Sequence, residues 1–193
     1  MNIAILDDHV LVAQSLAVAL ESQYYFRVSI FTPKTLDYSE LREFDILLLD
    51  FDYGSLGNAY DILADIEKEK LKRLKIIMFT TYGEVYTLLI CRHELIHGYV
   101  NKTASLNQLV LAIDTIADNG FWYQPKYAKE IRRLIALPKS DVLSPREKEI
   151  IALHKLKKNK EEIAKTLDIS VNTLSNHLRK IYQKLEISSI AQL

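Results

Sequence analysis

Three aspartates, a threonine and a lysine stand where they could handle a phosphoryl group beside a divalent cation. Asp7 and Asp8 follow the apolar run Ile3-Ala4-Ile5-Leu6, and Asp50 follows Ile46-Leu47-Leu48-Leu49. Thr80 follows Ile76-Ile77-Met78-Phe79, and Lys102 follows Gly98-Tyr99-Val100-Asn101. Crowded carboxylates repel one another unless a cation neutralises them. Mg2+ suits such a set, because it takes oxygen ligands and keeps room for water and phosphate. Asp50 is the best-placed nucleophile, since a carboxylate can take a phosphoryl group as an acyl phosphate. The Thr80 hydroxyl can donate to a phosphoryl oxygen, and Lys102 offers the same anion a compact positive charge. Each of these residues alone also reads as a turn or capping residue. All of them together, in this order, do not.

The elements that must position them follow from periodicity. Strands are expected at residues 2–6, 26–31, 45–49, 75–79 and 97–100, as short, uninterrupted apolar runs. Helix-period segments lie near 10–22, 34–42, 58–72, 84–94 and 106–119. Val10, Ala13, Leu16, Ala17 and Leu20 keep one face of the first helix apolar, and Leu109, Ala112, Ile113 and Ile116 do so for the fifth. Five βα units predict a five-stranded, parallel, doubly wound α/β sheet. In such a sheet the ligand site lies beyond the carboxyl ends of the strands, which is where the chemical residues fall.

After Gly120 the pattern breaks at Phe121-Trp122-Tyr123-Gln124-Pro125. Residues 126–137 read as a charged linker helix that Pro138 stops, so the domain boundary is placed in 121–141. One unit then spans 1–120 and a second spans 142–193. The second is all helical. Ser144-Pro145-Arg146-Glu147 combines a capping Ser, Pro at the first helical position and Glu three residues after the cap. Ile150, Ile151, Leu153 and Leu156 form the apolar face of that helix. A short helix over 160–167, a turn at Asp168-Ile169-Ser170 and a longer helix over 171–185 complete a helix-turn-helix pattern.

Charge divides along the same line. Residues 1–137 carry 14 Lys and Arg against 18 Asp and Glu, whereas 138–193 carry 11 against 7. The formal net charge of zero therefore conceals an acidic module followed by a basic one, and the basic block fits a polyanionic partner. The helix over 171–185 turns Asn172, Ser175, Asn176, Arg179 and Lys180 away from its apolar stripe. Arg can pair bidentately with guanine and Asn with adenine in the major groove. Lys155, Lys157, Lys158 and Lys160 read either as nonspecific charge for the same DNA or as a solvated lysine-rich loop. A single cysteine, Cys91, excludes an internal disulfide. No apolar stretch reaches the length of a membrane span, and the chain opens on a strand pattern with no signal segment. A cytoplasmic protein with no membrane partner is expected.

These motifs carry a family resemblance. Leu6-Asp7-Asp8-His9, Leu47-Leu48-Leu49-Asp50, Met78-Phe79-Thr80-Thr81 and Gly98-Tyr99-Val100-Asn101-Lys102 resemble the receiver domain of two-component response regulators. Leu143-Ser144-Pro145-Arg146-Glu147, Glu162-Ile163-Ala164 and Ser170-Val171-Asn172-Thr173-Leu174 resemble the LuxR-type helix-turn-helix of the NarL/FixJ group. The resemblance implies a flavodoxin-like receiver in which Asp50 accepts a phosphoryl group from a sensor histidine kinase. It further implies that Asp7, Asp8 and Asp50 hold Mg2+ with the backbone carbonyl of Asp52, and that Thr80 and Tyr99 form the switch pair. Ser175, Asn176 and Arg179 would then read bases, with Thr173, His177 and Lys180 nearer phosphates. Most relatives carry Lys where this chain has Ser175. The implied function is a transcriptional regulator whose phosphorylation promotes homodimerisation and binding to double-stranded DNA.

The chain departs from the family around the acceptor, where Tyr53-Gly54 replaces Met-Pro and Gly57-Asn58 replaces Asp-Gly. Two glycines there predict an unusual loop path, and they leave open a regulator that works without phosphorylation. A second alternative is an enzyme. Asp50-Phe51-Asp52 resembles the Asp-x-Asp loop of haloacid-dehalogenase-type phosphatases, although it lies on the third candidate strand and its acid pair, Asp7-Asp8, lies upstream. After the Lys184-Leu185 landmark and Glu186-Ile187, only Ser188 to Leu193 remain, expected to be too few for the fourth helix through which relatives pair. Pairing is therefore expected from the receiver, through the helices over 84–94 or 106–119 and the strand beside Tyr99.

Overall fold

The computed structural model describes residues 1–71, 73–136, 143–185 and 187. Its centre is one parallel sheet built from β1 (Asn2–Leu6), β2 (Arg27–Phe31), β3 (Ile46–Leu49), β4 (Lys75–Thr80), β5 (Ile96–Asn101) and β6 (Trp122–Tyr123). Their order is β2-β1-β3-β4-β5-β6. Chain order reverses between β1 and β3, so a crevice opens there at the carboxyl ends. Leu6 pairs with Leu49, which sets Asp7 and Asp50 side by side at its mouth.

Strand alternation feeds two buried clusters. Ile3, Ile5, Ile46, Leu48, Ile77, Phe79 and Val100 face α1 (Val10–Tyr24) and α4 (Leu106–Ala117). Ala4, Leu6, Leu47, Leu49, Ile76, Met78 and Tyr99 face the other way, toward α2 (Ala59–Glu69) and α3 (Val85–Leu88). In α1 the sheet-facing residues are Ala13, Ala17 and Leu20, while Val10 is exposed.

Three expectations change. The segment near 34–42 is not an α-helix but a 3-10 turn, Tyr38–Glu43. Pro33 lacks an amide proton, Thr35 Oγ1 accepts from Thr32 N, and the Asp37 carboxylate accepts from Ser39 N. Such side chains offer the backbone a local alternative to the helix. The segment near 84–94 shrinks to α3 and the 3-10 turn Leu89–Arg92. Its residues from Thr87 to Cys91 are all buried, a pattern that fits a covered, tight coil rather than a helix with one wet face.

The sheet has six strands, not five. Trp122 and Tyr123 pair with Gly98 and Tyr99, because an aromatic pair suits an edge and Gly98 lets the backbone close in. A Cβ at Gly98 would lie 2.8 Å from the Trp122 carbonyl oxygen. The linker helix α5 (Pro125–Ala136) packs on α3 and the turn after it, burying Ile131 and Leu134.

The C-terminal unit contains α6 (Pro145–Lys155), α7 (Lys160–Thr166) and α8 (Val171–Leu185). Ser144 and Glu147 form the capping box that their spacing predicts. Ile150 and Ile151 are buried, but Leu156, expected on the same face, is 70% exposed because it lies beyond the end of the helix. No helix among the described residues is long and apolar enough to cross a membrane.

Candidate functional site

At the carboxyl edge of the sheet the Lys102 ammonium lies 2.7 Å from Asp7 Oδ2 and 2.7 Å from Asp50 Oδ2. Both carboxylates are buried. Asp50 Oδ1 accepts from Phe51 N at 2.7 Å, and Asp7 Oδ1 accepts from His9 N at 2.9 Å. Burial pushes the Asp50 carboxyl above its ordinary pKa, against the pull of Lys102. Burial also works against the Lys102 charge, but its hydrogen bonds to Asp50 and Asp7 prevail and hold its pKa above the ordinary value. Asp8 is exposed beside them, and potential ligand atoms of Asp7, Asp8, His9 and Asp50 lie within 4.8 Å of one another. This oxygen-rich, acidic donor set fits a hard divalent cation such as Mg2+.

Asp52 stands apart from that cluster. Its carboxylate accepts from Tyr82 Oη at 3.0 Å and from Gly54 N at 3.0 Å. The loop after Asp50 uses its two glycines where the backbone takes positive φ. Gly54 and Gly57 both have positive φ, and Asp52 forms an antiparallel bridge with Asn58, which caps α2. Tyr53 turns inward beneath the site, and its hydroxyl donates to the carbonyls of Asp50 and Leu6.

Thr80 is fully buried, and its Oγ1 accepts from Tyr82 N at 3.4 Å. Tyr99 is also fully buried, with its hydroxyl donating to the Tyr82 carbonyl and its ring edge-on to Tyr127 at 5.2 Å. Asn101 reinforces the same loop by donating to the carbonyls of Thr81 and Tyr82. Gln124 accepts from Asn101 N, tying the linker to the strand that carries Tyr99. The structure thus gathers Asp7, Asp8, Asp50 and Lys102 at one point. Thr80 and Tyr99 converge through their shared neighbour, Tyr82.

Sequence reasoning missed Tyr53, Tyr82, Asn101 and Gln124. Only Asn101 carried a signal, through its place in the Gly98-to-Lys102 run.

A second candidate surface lies on α8. Leu174, Leu178, Ile181 and Leu185 are buried, while Asn172, Thr173, Ser175, Asn176, Arg179 and Lys180 are exposed and His177 is half-buried. Arg179 donates to Asn176 Oδ1 at 3.1 Å, so two of the three candidate base readers already form one unit. Ser175 Oγ donates back to the Val171 carbonyl, and Thr173 N donates to Ser170 Oγ at the start of the helix. Asp168 makes the turn with a positive φ. The Glu147 carboxylate accepts from Lys184 Nζ at 2.6 Å, clamping α8 to α6.

The lysine cluster divides. Lys157 and Lys160 are exposed, but the Lys155 ammonium is directed at the sheet domain, 3.1 Å from Thr87 Oγ1. Both readings made for that residue from sequence are therefore corrected. An apolar stem closing a helix near a neighbouring domain has somewhere better to go than water.

Two family models match the chain. Residues 3–114 match the response regulator receiver domain, and residues 141–193 match the bacterial regulatory proteins of the luxR family. The transcriptional regulatory protein MctR of Rhizobium johnstonii is 24% identical, covering 100% of this chain and 91% of its own. The transcriptional regulatory protein ComA of Bacillus subtilis is 26% identical, covering 97% and 92%. Among solved structures, RcsB from Salmonella enterica serovar Typhimurium bound to a promoter with the phosphomimetic BeF3− superposes with a TM-score of 0.65. That match has 24% identity and covers 98% of this chain and 93% of that one. The chain belongs to the response regulators, as a NarL/FixJ-type DNA-binding transcriptional regulator with a receiver domain and a LuxR-type helix-turn-helix.

Proposed function

We propose that this regulator is switched by phosphorylation of Asp50. The observation that carries the reading is the half-buried Lys102 ammonium, 2.7 Å from both Asp50 and Asp7 at the mouth of the β1–β3 crevice. The donor is a sensor histidine kinase. An Asp50 carboxylate oxygen forms the new P–O bond, the donor's P–N bond breaks, and the freed imidazole keeps a proton. Lys102 is already within ion-pair reach of the acceptor and can follow the transferred oxygens. Mg2+, held by Asp7, Asp8, Asp50 and the backbone carbonyl of Asp52, would offset the phosphoryl charge. Asp52 serves through its carbonyl because its carboxylate is committed to Tyr82 and Gly54.

Thr80 and Tyr99 are the switch pair. When the Thr80 hydroxyl turns to a phosphoryl oxygen it gives up the Tyr82 amide, and the Tyr82 loop above Tyr99 must shift. That shift favours pairing of two receivers by biasing an existing equilibrium. Two copies then present two α8 helices to two half-sites of double-stranded DNA in the cytoplasm. Ser175, Asn176 and Arg179 read bases, and Thr173, His177 and Lys180 contact phosphates. The units are the receiver at 1–120, a junction at 121–141 and the DNA-binding unit at 142–193. Residues 188–193, where the expectation about a fourth helix falls, lie outside the described residues.

The test is intact-mass spectrometry of the full-length protein after acetyl phosphate and Mg2+. One phosphoryl mass on the native protein and none on Asp50→Asn is the expected result. Equal labelling of both would move the acceptor elsewhere. No labelling of either would leave a regulator that works without phosphate, and repeated turnover of a chromogenic phosphate would make the chain an enzyme.

A further inference from the structure

The last residue of α6 leaves its own unit. Lys155 Nζ sits 5.2 Å from the ring centroid of Phe51, 5.4 Å from that of Tyr82 and 3.1 Å from Thr87 Oγ1. The two rings meet edge to face at 6.1 Å, and Thr87 is fully buried. The carboxylates of Glu84 and Asp52 act on the same ammonium and partly offset its loss of water. A lysine over two aromatic faces, with a hydroxyl acceptor and acidic neighbours, is a built seat for a cation.

Both rings of this seat are joined to the Asp50 site. Phe51 follows Asp50 and gives its amide proton to the Asp50 carboxylate. Tyr82 bonds Asp52 through its hydroxyl, Thr80 through its amide, and Tyr99 and Asn101 through its carbonyl. A ring that holds Lys155 therefore belongs to the residue that must yield when Thr80 turns to a phosphoryl group. Meanwhile the reading residues of α8 remain exposed, so the contact does not work by covering them.

We propose that Lys155, contributed by the DNA-binding unit, acts through Tyr82 as a positioning residue that restrains phosphoryl loading of Asp50. This rests on the reading of Asp50 as acceptor. Seated, Lys155 holds Tyr82 and the 81–87 loop in the unloaded arrangement over the acceptor. Seating of Lys155 and loading of Asp50 then oppose one another through Tyr82. Coupling of this kind is reciprocal, so whatever draws Lys155 away also makes Asp50 easier to load.

The experiment compares initial rates of acetyl phosphate labelling, with Mg2+, in full-length native protein, Lys155→Met, Lys155→Arg and Tyr82→Leu. Methionine keeps the apolar stem and removes the charge. Lys155→Met should label roughly three- to tenfold faster, and Lys155→Arg should stay near the native rate. In Tyr82→Leu the Lys155→Met change should have little further effect, the signature of residues acting as a pair. Amide exchange over 81–87 should quicken in Lys155→Met at an unchanged global unfolding midpoint. An unchanged rate with unchanged exchange overturns the proposal. A slower rate also overturns it and makes Lys155 a donor-binding cation. If native protein and every variant stay unlabelled, the acceptor reading itself has failed and this one falls with it. Equal labelling of all four proteins removes only this inference.

Discussion

Tyr53 donates one hydroxyl to two carbonyls, those of Asp50 at 2.9 Å and Leu6 at 3.2 Å, and so ties the ends of β3 and β1 behind the Asp50 carboxylate. Burial, reinforced by the carboxylates of Asp50 and Asp7, pushes its pKa far up, so the group remains an O–H donor at any working pH. Tyr53→Phe leaves the packing in place but strips a buried carbonyl of its partner. It should cost about 1–2 kcal/mol in urea unfolding with an unchanged m-value. A variant as stable as the native protein would show that the tie contributes nothing.

The two loop glycines should differ. Gly54, at φ 60, has open space where a side chain would go, whereas a Cβ at Gly57, at φ 101, would lie 2.6 Å from Asp61 Oδ2. That same oxygen accepts from Asn58 N in the capping box of α2. Gly57→Ala should therefore lose about 1–3 kcal/mol, and Gly54→Asn should lose little, since Asn tolerates the left-handed region. Chemical denaturation of the two variants decides it.

The clamp between α6 and α8 should show in acid. Burial tends to raise the Glu147 pKa, but the Lys184 ammonium and the Ser144 amide outweigh it and hold it below the ordinary glutamate value. A depressed carboxyl stabilises the fold fully above its unfolded pKa of about 4.3. That contribution is lost as pH falls through the lower, folded value. Lys184→Met should flatten this acid limb in thermal melts followed across that range. A parallel limb in both proteins would place the acid sensitivity elsewhere.

Specificity should lie in Asn176 and Arg179, which are joined at 3.1 Å on the exposed face of α8. Loss of a good base pairing costs about 1–3 kcal/mol of discrimination, whereas loss of a phosphate contact weakens all sequences alike. Arg179→Ala should lower binding to a selected promoter fragment much more than binding to random duplex of equal length, at fixed salt. Equal losses on both would make Arg179 a backbone contact.

The parts of this protein that depend on neighbours in sequence were legible without a structure. Apolar runs ending in Asp7, Asp50, Thr80 and Lys102 marked four strands, because burial on both faces writes a continuous pattern. Ser144-Pro145-Arg146-Glu147 marked the start of α6, because a capping box is closed within four residues. The tertiary structure decided what depends on distant partners. It ordered the strands β2-β1-β3-β4-β5, which brings Lys102 to Asp7 across 95 positions of chain. It replaced a helix by the Tyr38–Glu43 turn, where Thr and Asp side chains competed for the backbone. It added Trp122 and Tyr123 to the sheet, at the edge beside Gly98 and Tyr99. It also turned Tyr53 under Asp50 and sent Lys155 to the Phe51 and Tyr82 rings. A tyrosine or lysine bears no local mark of such a partner, since its energy comes from a surface that exists only after the chain has folded.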